Sequence, residues 1–376
     1  MNEKEIAELR RRFRPDKSSI THIRGCYVNE NREIVSRFHQ SLTLMSQEEC
    51  ELILSTIRRT LSGTLGKNLL NIDFDTRQVV EGEEHRLLMA LRSSALADDA
   101  AVEELFRRAA QSVDLEGNYL ILLAADAYDV PYRAKDGALQ EDASSDVFSY
   151  FLCSICPVKQ TKPALSYYTH ESAFHGLKPD WVVSPPELGF LFPAFDERSA
   201  NIYGALYYTK DTAENHQAFA DAVFRRQLFM PAAAQKETFQ SLLQETLEED
   251  CSYEVVQSVH AQLCGLIQEH KESKEPEPLA LSKGAVKRVL SACGVSDGHA
   301  DAFVERYDDA FGADTDLSPR NIVDTRQVEL RMPDVTIHVN PERGDLVETR
   351  IINGARYILI RAEEGVEVNG VQVRIH

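Results

Sequence analysis

Four apolar runs crowded into residues 118–209 constrain this chain more than any other feature. They are 118–125 (NYLILLAA), 147–158 (VFSYFLCSICPV), 188–195 (LGFLFPAF) and 201–209 (NIYGALYYT). Each has the length of a strand, is rich in aromatic and aliphatic side chains, and lies near Gly, Pro, Asn or Asp, the residues that punctuate strands. Lying so close together, they predict a core sheet of the antiparallel type.

Helical patterns flank these runs. Residues 2–13 read as a short charged helix that Pro15 stops. Ser46 and Glu49 form a capping box. The helix it opens has Cys50, Ile53, Leu54, Ile57 and Leu61 on one face, and Gly63 follows its end. Residues 83–94 and 98–113 are amphipathic, the second through Val102, Leu105, Phe106, Ala109 and Val113. Strands are expected at 20–28 and 33–38 about an Asn-Glu-Asn turn, and over 71–80. His85 is expected at a cap or on the surface, and the polar stretch 134–145 as an exposed hairpin loop. Helices are expected at 212–229, 234–249 and 252–270. Residues 271–278, charged and Pro-containing without an apolar side chain, read as a linker. Two short helices with Ser282 and Ser296 as N-caps follow, then β-rich sequence in which Asn353-Gly354 and Asn369-Gly370 signal tight hairpin turns.

A chain of 376 residues exceeds one ordinary core. The expected division is an N-terminal α+β part (1–116) packing on a central β-rich part (117–232), an acidic helical segment (233–270), a linker (271–280) and a C-terminal domain (281–376). The fold class is α+β: a central, largely antiparallel sheet flanked by helices, plus a small C-terminal helix-pair and β-hairpin domain. The formal net charge of −19 opposes broad binding to nucleic acid or to an anionic membrane. The N-terminus lacks the apolar centre of a signal peptide, and no apolar stretch reaches the roughly 18 residues that span a bilayer. Seven scattered cysteines read as reduced thiols of a cytoplasmic protein.

Several motif-like stretches fail on spacing. Gly63, Gly66 and Lys67 lack the four-residue gap and the following Ser or Thr of a phosphate loop. Cys153 and Cys156 are three apart in a strand, which points the sulfurs to opposite faces. His170 and His175 are five apart, not the four that aims two histidines at one metal from a helix. Residues 314–318 lack the glycine and glutamate of a calcium loop. The basic run Arg10–Arg14 sits among acidic residues and reads as a solvated face or as cations at a helix C-terminus. Lys283, Lys287 and Arg288 make one C-terminal helix basic, but its neighbour is acidic. Asp-Thr-Arg-Gln-Val occurs at 75–79 and again at 324–328 without matching flanks, so it is chance and no repeat.

The stretch after Pro157 gathers binding-competent groups. The candidate pocket comprises Lys159, Lys162, Tyr168, His170, Glu171, His175 and Trp181, with Asp196, Glu197 and Arg198 from the next turn. No metal and no cofactor is expected, and no catalytic residue is assigned.

Residues 60–68 (TLSGTLGKN), 84–92 (EHRLLMALR), 157–163 (PVKQTKP), 189–195 (GFLFPAF) and 346–350 (LVETR) resemble an uncharacterised bacterial family described only as a domain of unknown function. The resemblance spans nearly the whole chain. It implies a bacterial cytosolic protein and brings no activity, cofactor or catalytic residue. The order of helices, central strands and C-terminal hairpins is also similar in pattern to bacterial nucleoid-associated proteins, an analogy that the net charge opposes. The functional expectation is a cytosolic, non-enzymatic binding or scaffolding protein with protein partners or self-association. The alternatives are a metal-dependent or other hydrolase using the central loop, and a nucleoid-type nucleic-acid binder.

Overall fold

The computed structural model describes residues 1–133, 139–313, 315–362 and 365–373, with side chains omitted over 132–146. The chain divides into two compact units, Met1–Pro231 with Pro276–Pro278, and Ala232–Glu275 with Leu279–His376. The acidic helices expected to stand apart thus group with the C-terminal residues.

The first unit contains helices α1 (Glu3–Arg10), α2 (Gln47–Arg58), α3 (Thr76–Glu81), α4 (Glu83–Ser93), α5 (Asp99–Ser112) and α6 (Gln217–Phe224). Its strands are β1 (His22–Val28), β2 (Ile34–Ser41), β3 (Leu69–Asp73), β4 (Asn118–Arg133), β5 (Leu139–Gln160), β6 (Ala164–Tyr168), β7 (Ala173–Leu177), β8 (Trp181–Val183), β9 (Leu188–Phe192), β10 (Ala194–Asp196), β11 (Ser199–Asn201) and β12 (Gly204–Thr209). One sheet runs in the order β2-β1-β4-β5-β9-β12-β3, with β8 also on β5. Every pairing in it is antiparallel, so the α+β class with a central antiparallel sheet holds.

Alternation along these strands feeds two separate cores. Ile121 and Leu123 of β4, Phe151, Cys153 and Ile155 of β5, and Phe190 and Phe192 of β9 pack with helices α4, α5 and α6 through Leu88, Leu105 and Phe224. Leu122 and Ala124, Tyr150, Leu152 and Cys156, and Leu191 enter the other core, with Ile6 and Leu9 of α1 and Leu54 and Ile57 of α2. Each such large side chain, fully buried, stabilises the fold by roughly 1.5–3 kcal/mol relative to exposure. The Cys153 and Cys156 sulfurs therefore lie in different cores, on opposite faces of one strand.

Local chemistry explains the helix ends. Ser46 and Glu49 make the expected capping box of α2. A second box, Asp75 with Gln78, opens α3 and breaks the strand expected over 71–80, which ends at Asp73. The other Asp-Thr-Arg-Gln-Val copy leads instead into a strand beginning at Val328, so the two copies share no structure. The helix expected at 212–229 is confined to α6. Of the expected loop 134–145, residues 134–138 lie outside the described residues, whereas 139–145 belong to β5. His85 is buried, a correction to the surface expectation. Its Nε2 lies 2.8 Å from the Ile202 carbonyl, and its ring packs edge-on to Phe74 and Phe192.

The second unit holds α7 (Ala232–Leu247), α8 (Tyr253–Ser273), α9 (Lys283–Ala292), α10 (Asp297–Phe311) and α11 (Pro319–Ile322). Hairpins follow: β13 (Val328–Met332) with β14 (Val335–Val339), β15 (Val347–Ile352) with β16 (Ala355–Ile360), and β17 (Val366–Val368) with β18 (Val371–Val373). Phe239 of α7 packs edge-on to Phe303 of α10 at 5.6 Å. Asn353, Gly354, Asn369 and Gly370 all take positive φ, the geometry their turns require.

Strand β9 approaches its neighbours closely enough to need glycine. A Cβ on Gly189 would lie 2.3 Å from the Cys153 carbonyl oxygen and 2.7 Å from the Thr60 methyl. Thr60 itself bonds Ser154 across the buried layer, hydroxyl to hydroxyl, at 2.7 Å. Gly189→Ala is expected to cost roughly 1–3 kcal/mol through overpacking, read from urea denaturation midpoints.

Candidate functional site

The ten residues singled out from sequence fall into two groups. Lys159 and Trp181 lie where β5 and β8 pair. Lys162 is exposed just before β6, Tyr168 ends β6, His170 and Glu171 form the turn, and His175 lies on β7. Asp196 ends β10 and Glu197 and Arg198 form the β10–β11 turn, which follows Phe192, the partner of Phe151. Lys159 pairs with Val182 eight residues further along β5 than Phe151, about 26 Å at ~3.3 Å per residue. The single pocket expected from all ten does not form: the antiparallel course of β5 and β9 carries the two turns toward opposite ends of the sheet.

The first group sits on a two-stranded hairpin, β6–β7, that pairs with no other strand among the described residues. Alternation places Leu165, Tyr167 and Phe174 on one face and Tyr168, His175 and Leu177 on the other. Tyr167 and Phe174 stack as a tilted pair at 5.2 Å, and Tyr168 meets His175 edge-on at 4.8 Å. His175 lies 2.7 Å from Glu171. That pair is open to solvent, so it is worth little. Leu165 is 78% exposed, Phe174 73% and Trp181 52%.

The second group belongs to a polar network under α1. Asp126, on β4, is buried among apolar neighbours. Its carboxylate accepts from Arg12 Nε at 3.0 Å, from the Ser19 amide at 2.9 Å and from the Tyr150 hydroxyl at 2.7 Å, with the Ser19 hydroxyl as a further donor. The Arg12 guanidinium also lies over the Tyr128 ring, 4.4 Å from its centre. Tyr128 donates to Glu8 at 2.7 Å, and Arg198 reaches Glu8 at 2.9 Å and the Pro131 carbonyl at 3.0 Å. Glu197 donates its amide to Glu5. Burial pushes the Tyr150 hydroxyl well above its usual range, with Asp126 adding to the shift. Burial first, then Glu8, pushes Tyr128 up to about 12. Burial tends to lower the Arg12 pKa, but the bond and charge of Asp126 together raise it. These groups clamp the α1 segment to the sheet. Of the two readings of Arg10–Arg14, the helix C-terminus holds for Arg10, in the last turn of α1, which also donates to the Leu61 carbonyl; the solvated face is corrected for Arg12, which binds Asp126. The sequence signal was an Asp directly following an apolar run, a group that is buried only with partners.

A thiol–imidazole pair occurs in the second unit. Cys264 Sγ lies 3.7 Å from His260 Nδ1, and His260 Nε2 lies 3.0 Å from the Asp324 carbonyl oxygen. Burial raises the Cys264 thiol and lowers the His260 imidazole. Both shifts favour the neutral pair, the reverse of an activated thiolate. Among the described residues, no group of three or more His, Cys, Asp or Glu is arranged to hold a metal ion, and no helix is long and apolar enough to cross a membrane.

A family model described as Domain of unknown function (DUF4317) matches residues 1–371, and the chain belongs to that family. No curated protein and no solved structure matches it.

Two measurements test this chemistry. Asp126→Ala leaves Arg12 without its carboxylate and should cost about 3 kcal/mol or more, measured by urea denaturation. Burial also holds Cys26 and Cys156 up at about 12. Thiols that stay protonated in the fold but ionise near pH ~8.5 when unfolded stabilise fully below that pH and less as it rises toward 12. The denaturation midpoint should therefore fall as the pH is raised above about 8.5, and less steeply in a Cys156→Ala variant.

Proposed function

We propose that this chain is a cytoplasmic, non-enzymatic binding or scaffolding protein of bacterial origin, and that it docks through the β6–β7 hairpin. The observation that carries the reading is the bare apolar ribbon formed by Leu165, Tyr167 and Phe174, with Trp181 beside it. An isolated two-stranded hairpin is marginal in water, and exposed aromatic clusters mark interaction surfaces. Among the described residues both outer edges of this ribbon are unpaired, ready to accept another strand.

The occupant is a second copy of the chain. The face is apolar along its length, so an identical hairpin is a complementary partner for it. A two-fold pairing of identical hairpins would also cover both ribbons at once. All seven cysteines are free thiols, which suits a reducing compartment. The nucleic-acid alternative meets cations already engaged: Arg12 by Asp126, Lys283 by Asp308 and Lys287 by Asp301.

Light scattering coupled to size-exclusion chromatography tests the proposal. The chain should run as a concentration-dependent dimer, and Leu165→Ser with Phe174→Ser should shift it to monomer by at least about tenfold in Kd without changing its melting temperature. A monomer at every concentration, or a dimer indifferent to both substitutions, overturns it.

A further inference from the structure

The sheet face roofed by α4, α5 and α6 is not roofed to its end. The helices stop at the turn Ser94–Ala97, where Ala95 and Leu96 both take positive φ, and the strands continue past it. Beyond the roof this face runs through small side chains, Ala125 and Ala127 on β4 and Ser149 opposite Ala127 on β5, before reaching the exposed pair Asp129 and Val147. The small side chains leave a cleft of about 600 Å³, within the range of small-molecule sites.

Nitrogen donors line this cleft on two sides. On one side Arg92, in the last turn of α4, donates through Nε to the Ser149 carbonyl at 2.9 Å. Among the described residues no carboxylate pairs with it, so its terminal nitrogens keep their donors. On the other side His22 and His39 stand with ring centres 4.9 Å apart. Arg24 sits across the strand pair from His39. Its guanidinium is tied to the Leu96 carbonyl at 2.8 Å and to Asp99 at 2.7 Å, which fixes the turn against β1. Among the described residues the one carboxylate lining the cleft is Asp126, and Arg12, Ser19 and Tyr150 already hold its oxygens. A chain of net charge −19 thus keeps a hollow in which the Arg92 charge has no carboxylate partner among the described residues.

We propose that this cleft binds a small phosphate monoester, with the phosphoryl group between Arg92 and the His22–His39 pair. A guanidinium fork suits any oxyanion. What favours phosphate is that the donors stand on facing walls: a tetrahedral group presents oxygens to both, whereas a carboxylate presents two oxygens in one plane. The remaining volume takes an organic part of about mononucleotide size. The site is independent of the hairpin.

Isothermal titration calorimetry on the full chain at low ionic strength tests it, with inorganic phosphate, adenosine monophosphate and citrate as probes. Inorganic phosphate and adenosine monophosphate should each saturate one site per chain, with citrate weaker. Arg92→Gln should weaken phosphate binding about tenfold. Because Arg92 also braces the sheet, the exposed pair His22→Gln with His39→Gln is the second variant. It should weaken binding while leaving the melting temperature unchanged. Leu165→Ser with Phe174→Ser should leave binding intact, which separates this site from the docking surface. Absence of saturable phosphate binding, affinities unchanged in both cleft variants, or citrate binding as tightly as phosphate would each overturn the proposal.

Discussion

Strand β5 carries apolar side chains on both faces, and covering both is the constraint on which the first unit depends. Phe151, Cys153 and Ile155 point one way, and Tyr150, Leu152 and Cys156 the other. An antiparallel sheet with one wet face would leave one of these rows in water. Helices must therefore pack on both sides. The chain supplies α1 and α2 from before the long strands for one face, and α4, α5 and α6 from both sides of them for the other. Where the helices end, the exposed features begin: the cleft beside the Ser94–Ala97 turn, and the hairpin beyond the end of β5.

Three polar positions inside this arrangement, Asp126, Ser154 and His85, are each held by hydrogen-bond partners. Asp126 alternates into the second core with Leu122 and Ala124, a position that costs several kcal/mol for an unpaired carboxylate. Arg12, Ser19 and Tyr150 satisfy it, and the first two come from the segment after α1. The buried charge thus specifies where the N-terminal segment docks. Ser154 with Thr60 does the same for the end of α2 on a smaller scale, and His85 with the Ile202 carbonyl for α4. Each is one polar position in an otherwise apolar layer, which makes the register of that layer unique.

Much of this was legible in the residues. The four apolar runs became β4, β5, β9 and β12 with their flanking short strands, because length and punctuation identify strands well. The Ser46 box, the α5 stripe and the Asn-Gly turns held for the same reason: each is settled by chemistry within a few positions. Asp75 with Gln78 is equally local, but the apolar residues around it carry a strand pattern that points the other way. The candidate site was only half legible. Tyr168, Glu171 and His175 do meet, since a tight hairpin brings near neighbours together. Asp196, Glu197 and Arg198 do not join them, because which end of a sheet a turn occupies depends on the direction of strands paired across the fold.

The sequence by itself determined the α+β class, the antiparallel pairing and the split of Cys153 from Cys156, since a two-residue period needs no knowledge of neighbours. Only the tertiary structure decided that His85 is buried, that Arg12 is bound to Asp126, that ten candidate residues separate into two groups, and that Arg92 stands across a cleft from His22 and His39. Each of these depends on pairs separated by tens of residues or more. Local propensity does not encode such pairs; they are selected by the joint burial of two cores that exists only once the whole sheet has assembled.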